Sequence, residues 1–382
     1  MARDGFKVFD SDLHVMEPVD LWRRHIAPRY RDQAPVGTNG YFLDGNLAHE
    51  GRIISPSGLS YEHDAHHLDT GTRHGRLDLM RAYDRRGWGP DVQLEAMDRE
   101  GIDVAVLFPT RGLMACAKEY ADDGLAAAIA RAYNDWLAEF RAADPDRLLG
   151  AALLAPQDVA GAAAEARRAR RELGFPAVFI RPNPVRGRNW NDPVYDPLWS
   201  VCEAEGLLVG FHEGFGALLP TAVAERFDGR HEDVWMTAHA AAHPVEMIYA
   251  SLAMICGGVL ERFPGLRVAF LEANCSWIPY WLWRLDEHYE KASAATRRRL
   301  PMRPSEYFAR QCFASIEADE TTAAPVVERI VDNVVFSTDF PHGDSAFPNA
   351  VATFLAQPLA PETKRKILWD NTARMYGLAP GT

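Results

Sequence analysis

Four places in this 382-residue chain put an acidic or imidazole side chain at the end of a short apolar run. Asp12 and His14 close Phe9-Asp10-Ser11-Asp12-Leu13-His14, and His212 closes Gly210-Phe211-His212. Glu272 closes Phe270-Leu271-Glu272, and Asp339 closes Ser337-Thr338-Asp339. Residues two apart on an extended chain share a face, so Asp12 and His14 point the same way, as do Gly210 and His212. Glu17 follows His14 by three residues, and His342 follows Asp339 by three. His243 precedes Pro244, which suits the first turn of a helix and would aim His243 at the same region. Three histidines (His14, His212, His243) and four carboxylates (Asp12, Glu17, Glu272, Asp339) make a candidate divalent-metal site. One zinc takes about four ligands, often with a position left for water. Seven donors exceed that, and oxygen-rich mixed sets suit iron or manganese better than zinc. Two metals are therefore a serious possibility, with iron, manganese or zinc as candidates. Asp339 and Glu272 are also candidate acid–base groups. Each residue alone has a plainer explanation: D-x-H as a turn, His212 as a core histidine, Asp339 as a turn cap, Glu272 as an arginine's partner. Their joint placement is what points to a site.

The elements needed to position them are strands whose ends converge. β-branched and aromatic runs bounded by Gly, Pro or Asp predict strands near Lys7–Asp10, Val104–Phe108, Leu149–Leu154, Ala177–Ile180, Leu207–Phe211, Arg267–Leu271, Cys312–Ser315 and Val334–Ser337. Three- and four-residue apolar spacing predicts helices over Asp122–Ala143, Asp158–Leu173, Pro244–Phe263 and Thr321–Val331. Asp122 and Asp158 are expected N-caps, and Gly174 and Gly206 helix stops. Eight alternations predict a (β/α)8 TIM barrel, a single domain over residues 1–382, with loop insertions after strands one and five. An open doubly wound sheet is the alternative, but no G-x-G-x-x-G follows an early strand. In a barrel the reacting groups sit at the C-terminal strand ends, where these candidates fall.

Three stretches exceed a minimal barrel: 17–90, 214–243 and 290–310. Long irregular segments in compact domains serve as lids or substrate loops. Tyr41, Phe42, Tyr61, Trp88, Trp190, Phe215, Phe227 and Trp235 could enclose a bulky apolar substrate, or pack these segments down, or form a subunit interface. Trp190, His342 and Arg181 are candidate substrate-binding residues; Arg181 and Arg186 could hold an anionic group. The tract His63-Asp64-Ala65-His66-His67 and the pair His239 and His243 are weaker metal signals. A net charge of −12 argues against a nucleic-acid partner, and Arg297–Arg299 reads as a solvated helix end. Five dispersed cysteines suit reduced thiols, hence a cytoplasmic setting. No signal peptide or membrane-spanning run is evident, so the expected partner is a small-molecule substrate, with a homo-oligomer possible.

The quoted strand ends, with His243-Pro244-Val245-Glu246, Gly257-Gly258-Val259-Leu260-Glu261-Arg262-Phe263-Pro264, Asp339-Phe340-Pro341-His342 and the closing Asp370–Leu378, resemble the amidohydrolase-related superfamily. The resemblance is to the branch that includes aminocarboxymuconate-semialdehyde decarboxylase and the resorcylate decarboxylases, and it covers nearly the whole chain. It implies metal ligands at Asp12, His14, His212 and Asp339. Two departures stand out: the first ligand is Asp rather than His, and Glu272 occupies the place of the decarboxylases' strand-six catalytic His.

Two enzymatic readings follow. In the favoured one, two irons activate dioxygen and hydroxylate a bulky apolar, perhaps terpenoid acyl, substrate. The ligand set is similar to that of dinuclear iron hydroxylases of platensimycin-type diterpenoid biosynthesis. In the other, one metal supports hydrolysis or decarboxylation of a small carboxylated substrate. A barrel retained only for binding would hold no metal.

Overall fold

The computed structural model describes residues 3–37, 47–49, 52–54, 76–117, 119–213, 222–223, 240–342 and 345–378. Eight parallel strands form one sheet: β1 (Phe9–His14), β2 (Val104–Phe108), β3 (Leu148–Leu153), β4 (Ala177–Ile180), β5 (Leu208–His212), β6 (Arg267–Leu271), β7 (Cys312–Ile316) and β8 (Val334–Phe336). Their paired order follows the chain from β1 to β8, giving a nearly closed parallel barrel. All eight predicted strands form, each within a few residues of its expected limits. β1 starts and ends later than expected, so Asp12 and His14 lie inside the strand rather than beyond it.

β1 contains an irregularity where it pairs with β2. Asp10 faces Ala105 and Leu13 faces Leu107, so β1 carries one extra residue between them. Between β8 and β1, hydrogen bonds at the mouth complete the circuit. Asp339 N–H donates to the Asp12 carbonyl (3.2 Å), and His14 N–H donates to the Phe340 carbonyl (2.8 Å). Ser11 Oγ adds a bond to the Phe336 carbonyl (2.8 Å), and Ser337 Oγ one to the Asp12 carbonyl (3.3 Å).

The expected caps are in place. The Asp122 carboxylate accepts from Gly124 N and Leu125 N ahead of helix Asp123–Arg141, and Asp158 accepts from Gly161 N ahead of helix Val159–Arg171. Gly206 closes helix Asp196–Glu205 at φ +65°, and Gly174 adopts φ +71°. The apolar faces of these helices pack on the strands. Asn134 holds one such contact with a two-way bond to the Leu153 backbone.

Four expectations need correction. Thr321–Val331 is not an α-helix; it holds turns and short 3-10 pieces at Val327–Arg329 and Val331–Asn333. Pro325 and the β-branched Val326-Val327 that follow it disfavour a continuous helix. Pro244–Phe263 is two helices, Ala240–Ile255 and Val259–Arg262, separated at Gly257-Gly258 with Gly258 at φ +81°. Pro244 lies inside the first of them rather than at its opening turn. Finally, 290–310 is not irregular: it contains helices Ala294–Arg299 and Pro304–Gln311, with Arg297–Arg299 exposed at the end of the first. Segment 17–90 carries helices Leu21–His25 and Arg76–Arg85 and a small antiparallel sheet of Val36–Gly37, Leu47–His49 and Arg52–Ile54. The tract 63–67, His239, and the aromatics at 41, 42, 61, 215, 227 and 235 lie outside the described residues.

Candidate metal centre

β1, β5, β6 and β8 bring Asp12, His14, His212, Glu272 and Asp339 to one mouth of the barrel, where all five are buried. His14, His212, Glu272 and Asp339 each offer a donor atom within 4.8 Å of the other three. The contacts form a chain. His14 Nε2 lies 3.2 Å from Asp339 Oδ1 and 3.1 Å from His212 Nε2. His212 Nε2 lies 3.2 Å from Glu272 Oε2, and His243 Nε2 lies 3.4 Å from that same oxygen. Asp12 spans the middle, with Oδ1 3.6 Å from His14 Nε2 and Oδ2 3.3 Å from His212 Nε2. His342 caps one end. Its ring lies 4.0 Å from that of His14, its Nδ1 is 2.8 Å from Asp339 Oδ1, and its Nε2 meets Thr110 Oγ1 at 3.0 Å.

The chemistry of these donors fits a divalent cation. His14 Nδ1 donates to the Pro109 carbonyl and His212 Nδ1 to the Glu213 carbonyl, both at 2.8 Å. A carbonyl only accepts, so both Nδ1 atoms carry hydrogen and both Nε2 lone pairs face inward. Two lone pairs 3.1 Å apart need a proton or a metal between them. Both Asp12 oxygens and Asp339 Oδ1 are buried without a hydrogen bond of good geometry. Nε2 of His14 and His212 and Nδ1 of His342 lie 2.8–3.6 Å from these oxygens. Orphaned buried carboxylate oxygens are costly unless a cation compensates them.

The electrostatics reinforce this. Burial, and then the neighbouring His342, bring His14 down to about 4, so its ring is neutral at neutral pH. Burial also disfavours charge on His212, but the Asp12 and Glu272 carboxylates overcome it and raise its pKa. Burial opposes ionisation of Asp339, yet His342 and His14 hold its carboxyl well below the usual range.

The backbone at two of these positions is strained. Glu272 adopts φ +49° and Asp339 φ +55°, left-handed values that cost a non-glycine residue about 1–2 kcal/mol. Glu272 N–H is held by Ser315 Oγ at 2.9 Å, and Asp339 N–H by the Asp12 carbonyl.

Four candidates from the sequence have their polar groups engaged elsewhere. Glu17 is not directed at the cluster. Its carboxylate accepts from Thr110 N (3.3 Å), Arg111 N (2.8 Å) and Gly112 N (2.9 Å), the amides opening helix Arg111–Ala117. Such amides lack partners within their own helix, and a buried carboxylate satisfies them. Arg181 is buried and paired with Glu119 at 3.0 Å and the Pro184 carbonyl at 3.1 Å. Arg186 likewise pairs with Asp123. Trp190 is fully buried among Tyr195, Trp199 and Phe211, with Nε1 bonded to the Pro182 carbonyl. His243 stands beside Glu272, although it comes from within a helix. Residues given no site role by the sequence are Asp10, Thr110, Ser315, Thr338 and Phe108, whose ring stacks on His212 at 5.8 Å. Asp10 alternates with Asp12 and His14 along β1, a signal that was available.

The sequence model of the Amidohydrolase family matches residues 10–378. The chain is 26% identical over 303 residues to 2-amino-3-carboxymuconate-6-semialdehyde decarboxylase of Dictyostelium discoideum, covering 79% of this chain and 80% of that protein. It is 29% identical over 301 residues to gamma-resorcylate decarboxylase of Rhodococcus jostii, covering 75% and 87%. Among solved structures, an amidohydrolase from Mycobacterium avium subsp. paratuberculosis superposes with a TM-score of 0.76 at 22% identity over 99% of both chains. A 5-carboxyvanillate decarboxylase from Novosphingobium aromaticivorans, with bound manganese, superposes with a TM-score of 0.66 at 19% identity over 98% of both. With the barrel, the buried donor cluster and this match in hand, the chain belongs to the amidohydrolase family and is a metal-dependent enzyme of it.

Proposed function

We propose that this enzyme removes the carboxyl group of a small carboxylated substrate without oxidising it. The buried donor cluster at the barrel mouth carries the reading, and the decarboxylases among the chain's relatives support it over hydrolysis. Asp12, His14, His212 and Asp339 would hold the metal, and Glu272, beside His243, would handle the proton. A bound divalent cation supplies a Lewis acid that fixes and polarises the substrate's oxygens. In the reaction the carbon–carbon bond to the carboxyl breaks, carbon dioxide leaves, and the electron pair stays on the substrate carbon. That carbon then takes a proton, which Glu272 Oε2 would pass on after accepting it from a protonated His243, whose Nε2 is 3.4 Å away and which regains its proton from solvent.

Glu272→Gln should retain metal and lose at least about a hundredfold in turnover, the scale of one acid–base group. His14→Ala or His212→Ala should lose metal as well. Carbon dioxide release from a panel of aromatic and dienoic acids, measured beside metal content, tests the reading. Release that survives Glu272→Gln undiminished would sink the assigned role of Glu272.

A second reading rests on Asp12. Its two oxygens face different histidines, dividing the donors into His14 with Asp339 and His212 with Glu272 and His243. Were each set to hold an iron ion, the pair would supply dioxygen-dependent hydroxylation of an apolar substrate. Elemental analysis separates the two: two irons per chain with oxygen uptake favours hydroxylation, whereas one manganese or zinc removes it.

A further inference from the structure

We infer that Asp10 is a positioning residue for the metal centre, clamping the segment that presents Asp12 to the segment that presents Asp339. The inference rests on the metal reading above and adds a residue outside the donor set.

Asp10 is fully buried on β1, two residues before Asp12. Its Oδ1 accepts from Asp12 N at 3.1 Å and from Thr338 N at 3.3 Å. Its Oδ2 accepts from Thr338 Oγ1. One carboxylate thus binds both the extra residue of β1 and the residue directly before Asp339. Both places need restraint. The bulge at Ser11-Asp12 interrupts pairing with β2, leaving Asp12 N–H to a side chain. Asp339 sits at φ +55°, which persists only where its surroundings enforce it. Thr338 is fixed at both its amide and its hydroxyl, so the chain enters Asp339 along one path. Glu272 has a parallel arrangement, with its strained amide held by Ser315 of the adjacent strand.

A buried carboxylate is an expensive way to satisfy two amides and a hydroxyl. A water or a serine would stitch the seam, as Ser11 does one residue along. What Asp10 adds is rigidity between two oxygen donors whose separation sets the metal's fit. Side chains that orient ligands in this way change metal affinity by about 10–100-fold when removed.

Manganese affinity by equilibrium dialysis and the Tm of metal-free protein together test this. Asp10→Ala should weaken manganese binding about 10–100-fold beyond any change in metal-free Tm. Asp10→Asn keeps Oδ1 as acceptor and offers a donor to Thr338 Oγ1, and should restore affinity to within about threefold of wild type. Ser11→Ala, which cuts the seam but not the clamp, should lower metal-free Tm and leave affinity unchanged. Asp10→Ala that folds and binds manganese as wild type overturns the inference. If Asp10→Ala does not fold, Thr338→Val serves, since it removes the hydroxyl arm at constant shape; unaltered affinity there overturns it equally. Wild-type protein that binds no divalent metal instead overturns the metal reading itself, a separate outcome.

Discussion

At Glu17, an alanine substitution would leave three buried amides, those of Thr110, Arg111 and Gly112, without their acceptor. Glu17→Ala should therefore cost about 1–3 kcal/mol of stability, read by denaturant unfolding, while metal content stays at the wild-type value. Loss of metal in a folded Glu17→Ala protein would return Glu17 to the ligand set. At His212 the pH dependence has a definite sign. Its pKa lies above 6.5, and a metal must displace the proton from Nε2. Affinity should fall about tenfold per pH unit on the acid side of that raised pKa and level off on its alkaline side, which metal titrations across a pH series would show. His14, held near 4, imposes no such demand at neutral pH. These residues differ in how they could be read beforehand. Asp12, His14, His212, Glu272 and Asp339 were legible because strand ends converge in any barrel. The amide partners of Glu17 were not legible, because they lie over ninety residues along the chain and spacing near His14 carries no trace of them. Asp10 alternates with Asp12 and His14, but spacing alone does not distinguish a group that faces the backbone from one that faces a metal.

Among elements, the strands were the most legible, since β-branched runs between turn residues leave little ambiguity. The helices were less so. The apolar spacing of Pro244–Phe263 runs on through Gly257-Gly258, but the packing there does not. A Cβ on Gly257 would lie 2.1 Å from the Ala253 carbonyl oxygen and 2.3 Å from Asn191 Cβ. Gly257→Ala should thus destabilise by about 2 kcal/mol or more, seen as a lowered Tm, because backbone on one side leaves no room to yield. The break also fixes where helix Ala240–Ile255 ends, and that helix carries His243 to Glu272. Thr321–Val331 failed for a reason visible in retrospect: Pro325 outweighs the apolar spacing around it.

For the whole molecule, the metal centre concentrates buried charge where four strands meet. Removing the metal with a chelator should lower Tm. At a metal concentration about a thousandfold above Kd the stabilisation is about 4 kcal/mol, and Tm should climb with added metal. A Tm indifferent to metal would mean the cluster binds none. Among the described residues no helix is long and apolar enough to cross a membrane.

The junction between β1 and β8 has a consequence for durability. The first strand and the last are joined at the mouth through Asp10, Ser11, Asp12, Ser337 and Asp339, the same stretches that supply the oxygen donors. The latch of the barrel and its cofactor site are therefore one object. A copy starved of metal loosens first along that junction, and its amides should exchange with deuterium there before the rest of the sheet. An opened seam is also a place for a protease to start, so the supply of metal would set how long each copy of the protein lasts.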